Sequence, residues 1–346
     1  MPLYDCLIIG GGPAGLSTAL GLCRAVRSCV VFDDGRYRNW ATSYMHTVPT
    51  WDHRRPEDYR QAATEELLNG RYDTVSEIST SPVLDVVVRV VVDSNDSNGH
   101  SSPRRVFVAI DQNGTEWHAR TVVFASGVED LLPPNDRVPG FASGWGQCIF
   151  HCLFCHGFEE RGAESAGVLI LTPGAFQFSA AFAGMAARLA RKITVYTNGL
   201  DLSEGGSGPD PIEGLLRRNE FDIDTRPIER LTPYKTNADR RHEDGPPGID
   251  IHFKDGSIPV HHAFLVCRPE QRVRNRRIME ALGVRFAAAT GLAEVVSPMN
   301  ATHVPGVFVA GDNNTMYQQV VNAFCQGGMV SGGVHHYLLT KELNGE

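Results

Sequence analysis

The stretch from residue 4 to residue 35, YDCLIIGGGPAGLSTALGLCRAVRSCVVFDDG, decides the fold. It opens on a short apolar run, YDCLIIG, continues as GGPAGLSTALGLCRAV with glycines leading into helical spacing, and ends in a second apolar run, SCVVFDDG. Strand, helix and strand in that order make a βαβ unit. Gly10, Gly12 and Gly15 stand in G-x-G-x-x-G spacing where the first strand meets the helix, and Asp33 closes the second strand. Each part has a task in such a unit. The first glycine permits the tight turn, the second lets backbone approach a pyrophosphate, the third lets helix pack on strand, and the acid holds ribose hydroxyls. The helix amino terminus presents free N–H groups and its positive dipole end to the phosphates. A dinucleotide site is predicted here.

Outward from that unit, PVLDVVVRVVVD (82–93) and RRVFVAIDQNGTEWHARTVVFASG (104–127) are rich in β-branched residues, and Asn113-Gly114 predicts a hairpin. The polar segment between them, 94–105, is expected to be a surface loop. From Gly167 the pattern restarts: GVLILTPG as a strand, AFQFSAAFAGMAARLAR as a helix and KITVYTNG as a strand. This second βαβ unit implies a duplicated dinucleotide-binding layout. A second low-order stretch, 235–248, follows, and VPGVFVAGD (304–312) supplies a late apolar strand.

The second unit departs from the phosphate-binding pattern. Its turn reads Thr172, Pro173, Gly174, Ala175, Phe176, Gln177, so only the middle glycine is kept. Pro173 has no N–H to give, and Gln177 is expected to set a long side chain where helix should meet strand. Thr197 stands where an acid would hold the NAD ribose, and no arginine follows for the NADP phosphate. Loss of the nicotinamide site is the expectation; a variant loop that still takes NADPH is the alternative.

With 346 residues, 42% of them hydrophobic, the chain has material for two cores. Its net charge of -8 argues against nucleic-acid binding, which needs a basic face to displace phosphate counterions. No apolar run approaches the roughly 20 residues of a membrane helix, and the amino terminus lacks the basic region of a signal peptide. A cytoplasmic protein acting on a small molecule or protein, with no membrane partner, is expected.

Eight cysteines, at 6, 23, 29, 148, 152, 155, 267 and 325, do not form a secreted disulfide framework. Cys6, Cys23, Cys29, Cys148, Cys267 and Cys325 read as small buried hydrophobes. The string HCLFCHGFEE (151–160) is different, because C-x-x-C-H serves covalent haem, zinc or a redox disulfide. Haem attachment suits a short exported helical domain. Zinc has candidate ligands in Cys148, His151, Cys152, Cys155 and His156, but no second knuckle follows and no metal is expected. A redox pair fits a dinucleotide fold, with Cys152 and Cys155 exchanging electrons and His156 handling a proton; a hydrogen-bonded surface histidine is the plainer reading of His156.

GGGPAG at the amino end, VVFASG at 122–127, the central C-x-x-C, THVPGVFVAGD at 302–312 and YQQV at 317–320 resemble the low-molecular-weight thioredoxin reductase family over nearly the whole chain. The resemblance implies an α/β chain with two Rossmann-like domains (three-layer ββα/βαβ). An FAD domain would comprise 1–127 and 271–346, with a nucleotide-type domain, 128–270, inserted and carrying the C-x-x-C. Within the family, DGRYRN (34–39), HTVPTWDHRRP (46–56) and CLFCHGFE (152–159) resemble the fungal dithiol oxidases, which close the disulfide of gliotoxin-type epidithiodioxopiperazines with FAD and dioxygen. Thioredoxin reductases carry an Asp after the second cysteine, where this chain has His156.

The resemblance implies that FAD is held by Gly10, Gly12, Pro13, Ala14, Gly15, Asp33, Asp34, Gly35, Arg36, Tyr37, Arg38, Asn39, His46, Gly311, Asp312, Gln319 and Val320. It makes Cys152 the substrate-facing thiol and Cys155 the thiol against the flavin. His46 reads equally as a packed loop histidine. The expected partners are a small-molecule dithiol, dioxygen and a second copy of the chain in a homodimer. An NADPH-dependent disulfide reductase and a non-catalytic redox sensor are the rival readings.

Overall fold

A computed structural model of the protein describes residues 2–92, 103–201, 212–234 and 247–345. The chain forms two compact units: Met1–Trp40 with Val48–Glu129 and Arg272–Glu346, and Ala41–Thr47 with Asp130–Gln271. Both joins fall inside short strands, Val128–Leu131 and Glu270–Val273. The short piece 41–47 changes unit without any change in composition to announce it.

In the first unit, Leu3–Ile9 runs parallel to Cys29–Phe32, with Ile9 opposite Phe32, and parallel to Glu116–Phe124 on its other side. Val75–Ser79 extends the sheet beyond Cys29–Phe32, and Val307–Val309 also pairs with Glu116–Phe124 in parallel. Pro103–Asp111 and Val83–Val92 continue it as antiparallel strands. The Asn113-Gly114 hairpin forms as expected. Gly114 takes φ 76°, and Asp111 Oδ1 accepts from the N–H groups of Asn113 and Thr115 at 2.8 and 3.0 Å.

The helix Pro13–Arg24 starts with proline, whose missing N–H would have no partner in the first turn, and ends with Arg24 at its negative pole. Its buried Leu16, Ala19, Leu22 and Cys23 join Ala323, Val330, Val334 and Leu338 of the C-terminal helix Val320–Leu343 in one cluster over the sheet. Each fully buried leucine contributes about 1.5–3 kcal/mol, so both chain ends are tied into the same core.

The second unit is built on five parallel strands in the order Asp222–Asp224, Ala190–Tyr196, Ala163–Leu169, Phe264–Val266, Ile149–Phe150. Ala163–Leu169, the helix Phe176–Ala186 and Ala190–Tyr196 are the second βαβ unit read from the sequence. A separate antiparallel sheet of Ile228–Tyr234, Gly248–Phe253 and Val260–His262 covers it, packing Leu231, Ile249, Ile251 and Phe253 with Leu169 and Tyr196.

The polar stretches 94–105 and 235–248 fall largely outside the described residues. Their described ends, from Pro103 and at Gly248, are already strand. Cys6, Cys23, Cys29, Cys148 and Cys267 are buried as expected. Cys325 is not: it is exposed on the C-terminal helix, its Sγ 3.7 Å from Met329 Sδ one turn on. Among the described residues no helix is long and apolar enough to cross a membrane.

Candidate active site

The turn after the first strand is shaped by its glycines. Gly10 has φ 121°, and a Cβ on it would stand 2.4 Å from Ala125 O; a Cβ on Gly15 would stand 1.8 Å from Gly10 O. Gly12 is different, because a Cβ there would meet nothing within 4 Å. It caps the helix Pro13–Arg24 with no side-chain hydrogen bond, so the turn faces open space with uncapped N–H groups. Gly11 was missed by the sequence reading, since it occupies a free position of the motif. A Cβ on it would collide with the Asp33 side chain at 2.4 Å. The run of three consecutive glycines was the available signal.

Asp33 Oδ1 accepts from Gly35 N–H at 3.1 Å, and Oδ2 accepts from the Tyr37 hydroxyl at 2.5 Å. Burial and the adjacent Asp33 carboxylate push the Tyr37 phenol well above its ordinary range, so it stays a donor. Asp34 pairs with Arg36, Nη2 to Oδ2 at 2.8 Å, and Asn39 is half-buried. Arg38 Nη1 donates to Asp312 Oδ2 and to Gln318 Oε1, both at 2.9 Å.

Gly311, at φ 86°, sits where a Cβ would come within 3.0 Å of Ala14 Cβ. Its N–H donates to the buried Gln326 Oε1 at 2.8 Å. Next to Asp312, Asn313 is wholly buried; its Nδ2 donates to Phe124 O at 2.7 Å and its Oδ1 has no partner. Gln319 caps the C-terminal helix without a side-chain bond, leaving the amino terminus at Val320 uncapped. The first unit thus gathers Gly10 to Gly15, Asp33 to Asn39, Gly311, Asp312, Gln319 and Val320.

His46 falls instead in the second unit, with the cysteine pair. Cys152 and Cys155 form a disulfide in the loop that leaves the carboxyl end of the strand Ile149–Phe150. The loop is tightened by Cys155 N–H to Cys152 Sγ at 3.1 Å and His156 N–H to Cys152 O at 3.0 Å. Both sulfurs of the pair are bonded to each other and Cys148 is fully buried, so these three cysteines are not free to act together as the zinc ligands that the sequence offered as one alternative.

The His156 ring stacks on Phe150 at a centroid distance of 4.1 Å, and its Nε2 is 3.3 Å from Glu160 Oε1. His46 Nε2 is 3.6 Å from Glu159 Oε1, and the two imidazole centroids are 6.4 Å apart. His151 stacks on Trp145 at 5.6 Å. Burial acts to raise the Glu159 carboxyl, but its backbone N–H bonds and the facing His46 and His156 outweigh that and hold it below the ordinary range. Glu159 and Glu160 were overlooked in the sequence. The Glu-Glu dipeptide three residues beyond His156 was the only trace.

The turn of the second βαβ unit differs from expectation in which residue does the damage. Gln177 is exposed, its Nε2 donating to Gly174 O at 3.0 Å. Phe176 is wholly buried against Val168, Ile170 and Val195, filling the helix–strand junction that a third glycine would keep narrow. Thr197 is also fully buried, and its Oγ1 has no hydrogen-bond partner.

A family model described as pyridine nucleotide-disulphide oxidoreductase matches residues 4–327. The chain belongs to that family. This oxidoreductase is 38% identical over 341 residues to thioredoxin reductase aclD of Aspergillus oryzae, covering 96% of each chain. It is 37% identical over 347 residues to thioredoxin reductase sirT of Leptosphaeria maculans, covering 99% of this chain and 96% of that one. Its fold matches an oxidoreductase from Agrobacterium tumefaciens with TM-score 0.78 and 25% identity, over 98% of this chain and 99% of the other.

As expected from sequence, the fold is the α/β thioredoxin reductase type with Rossmann-like domains, and the cofactor of this pyridine nucleotide-disulphide oxidoreductase is FAD. The first unit has what that group requires. Space opens beyond Gly12, two helix amino termini are uncapped, an acid ends the second strand, and the buried Asn313 keeps an unpaired acceptor.

Proposed function

We propose that this oxidoreductase is an FAD-dependent dithiol oxidase that closes an intramolecular disulfide in a small-molecule dithiol of the epidithiodioxopiperazine type. Dioxygen is the electron acceptor and hydrogen peroxide the product. In this reading 1–127 and 271–346 hold FAD through the residues gathered in the first unit. The inserted 128–270 carries the cysteine pair and has lost its nucleotide site. The enzyme works in the cytoplasm, and as a homodimer, the latter as the resemblance to the thioredoxin reductase family implies.

The observation that carries the reading is Phe176, buried at the mouth of the second βαβ helix where pyrophosphate needs close backbone approach. With that route for electrons from a nicotinamide closed, the electrons come from sulfur. A substrate thiolate attacks Cys152 Sγ, breaking the Cys152–Cys155 bond and releasing the Cys155 thiolate. The second substrate thiolate attacks the substrate sulfur of this mixed disulfide, and the cyclic disulfide leaves with Cys152 reduced.

His156 takes the proton of the attacking thiol, whose ordinary pKa of about 8.5 leaves it mostly protonated at neutral pH. The Glu160 carboxylate beside its Nε2 holds the ring in place. Bound FAD supplies the acceptor for the electron pair of the reduced cysteines and its passage to dioxygen.

The description of the family and the printed names of the relatives favour a second reading, an NADPH-dependent disulfide reductase. One comparison separates the two. The oxidase consumes oxygen with a panel of reduced epidithiol compounds, loses this on Cys152→Ser, and keeps its yellow colour when mixed anaerobically with NADPH. Rapid bleaching by NADPH overturns the oxidase reading.

A further inference from the structure

We propose that His46, His156 and Glu159 form a site for one divalent ion of the zinc class. One ligand atom from each residue lies within 4.8 Å of those of the other two, and His46 Nε2 to Glu159 Oε1 is already 3.6 Å. Around a tetrahedral ion with bonds of about 2.0–2.2 Å, neighbouring donors stand roughly 3.3–3.6 Å apart. The cluster therefore closes by side-chain adjustment alone.

Two imidazoles and one carboxylate are the donor set of zinc sites that keep a fourth position open for water. The nitrogen ligands select against magnesium and calcium, which take oxygen. The surroundings support the donors: Gly157 N–H donates to Glu159 Oε2 at 3.3 Å, and Glu160 Oε1 stands 3.3 Å from His156 Nε2. All three residues are half-buried, and the neighbouring cysteines are tied up in their disulfide, so nitrogen and oxygen alone hold the ion in the oxidised enzyme. Resting on the proton-accepting role proposed for His156, such an ion is an inhibitor, because it takes the lone pair that a proton needs.

Cobalt(II), used as a coloured probe for zinc, is titrated into oxidised holoenzyme freed of metal by a chelator. Visible bands saturating at one equivalent and displaced by zinc are expected. Glu159→Gln, nearly isosteric, is expected to weaken cobalt at least tenfold with the flavin spectrum and melting temperature kept. The Cys152→Ser/Cys155→Ser double variant and His336→Gln, an exposed position on the C-terminal helix Val320–Leu343, are expected to bind as the parent does. Absence of saturable bands overturns the site, and so do bands that survive in both Glu159→Gln and His46→Gln. Loss in the double cysteine variant with retention in Glu159→Gln overturns it as well, since the ion would then sit on sulfur. No dithiol or dioxygen enters the measurement, so its failure is distinct from failure of the oxidase reading.

Discussion

Arg38 Nη1 donates to Asp312 Oδ2 at 2.9 Å across 274 residues of chain. The two side chains are 14% and 19% exposed, so the pair is shielded from water and couples the segment after Asp33 to the turn before the C-terminal helix. Arg38→Ala leaves the Asp312 carboxylate without this partner. A loss of about 1.5–3 kcal/mol, in the range of hydrogen bonds to charged groups, is expected in urea unfolding. Purified protein should also carry less FAD, read from the ratio of flavin to protein absorbance.

Gly12→Ala and Gly15→Ala should separate cofactor binding from folding. The added methyl meets nothing at Gly12, so the apo-protein melts normally while FAD affinity falls. At Gly15 it meets a backbone oxygen at 1.8 Å, and overpacking costs about 1–3 kcal/mol or more. Melting curves of the two apo-proteins, with flavin fluorescence titrations, check the contrast.

Either Cys152→Ser or Cys155→Ser is expected to bring dithiol-dependent oxygen uptake to background. Thiol counting in denaturant provides a check independent of activity. The oxidised parent carries six free cysteines, and each variant should show one more, because the partner of the missing sulfur is released.

Stability of the second unit should depend on pH through His262. Its Nε2 faces the Tyr196 hydroxyl at 2.7 Å and its Nδ1 faces Ser165 Oγ at 2.9 Å. Burial, aided by His261 and Lys192, lowers its pKa from 6.5 to about 4. Between these values the unfolded chain binds a proton that the folded one refuses. Stability is therefore full above pH 6.5, falls as pH drops toward 4, and levels off below it. At about 1.4 kcal/mol per pH unit the loss is on the order of 3 kcal/mol. His262→Gln should flatten that part of the urea-midpoint profile.

Much of the fold is legible in sequence because it is local. Apolar runs of strand length, helical spacing after Gly12 and the Asn113-Gly114 turn each depend on neighbours a few residues away. The duplication of βαβ units follows from the same patterns. Gln177 shows the limit. Its position in the motif suggested a helix–strand clash, but Gln177 lies at the surface with its Nε2 on Gly174 O, and its neighbour Phe176 is the buried side chain. Cys325 is similar, since helical spacing without a known neighbour does not say which face is covered.

By itself the sequence determined the two βαβ units, the Asn113-Gly114 hairpin, the glycine turn with its acid and the cysteine pair, because each is written within a few dozen consecutive residues. Only the tertiary structure decided that Gly11 lies against Asp33, that Arg38 finds Asp312, and that His46 meets Glu159 beside His156. These pairings depend on where the chain returns in space, and local propensity carries no record of that path.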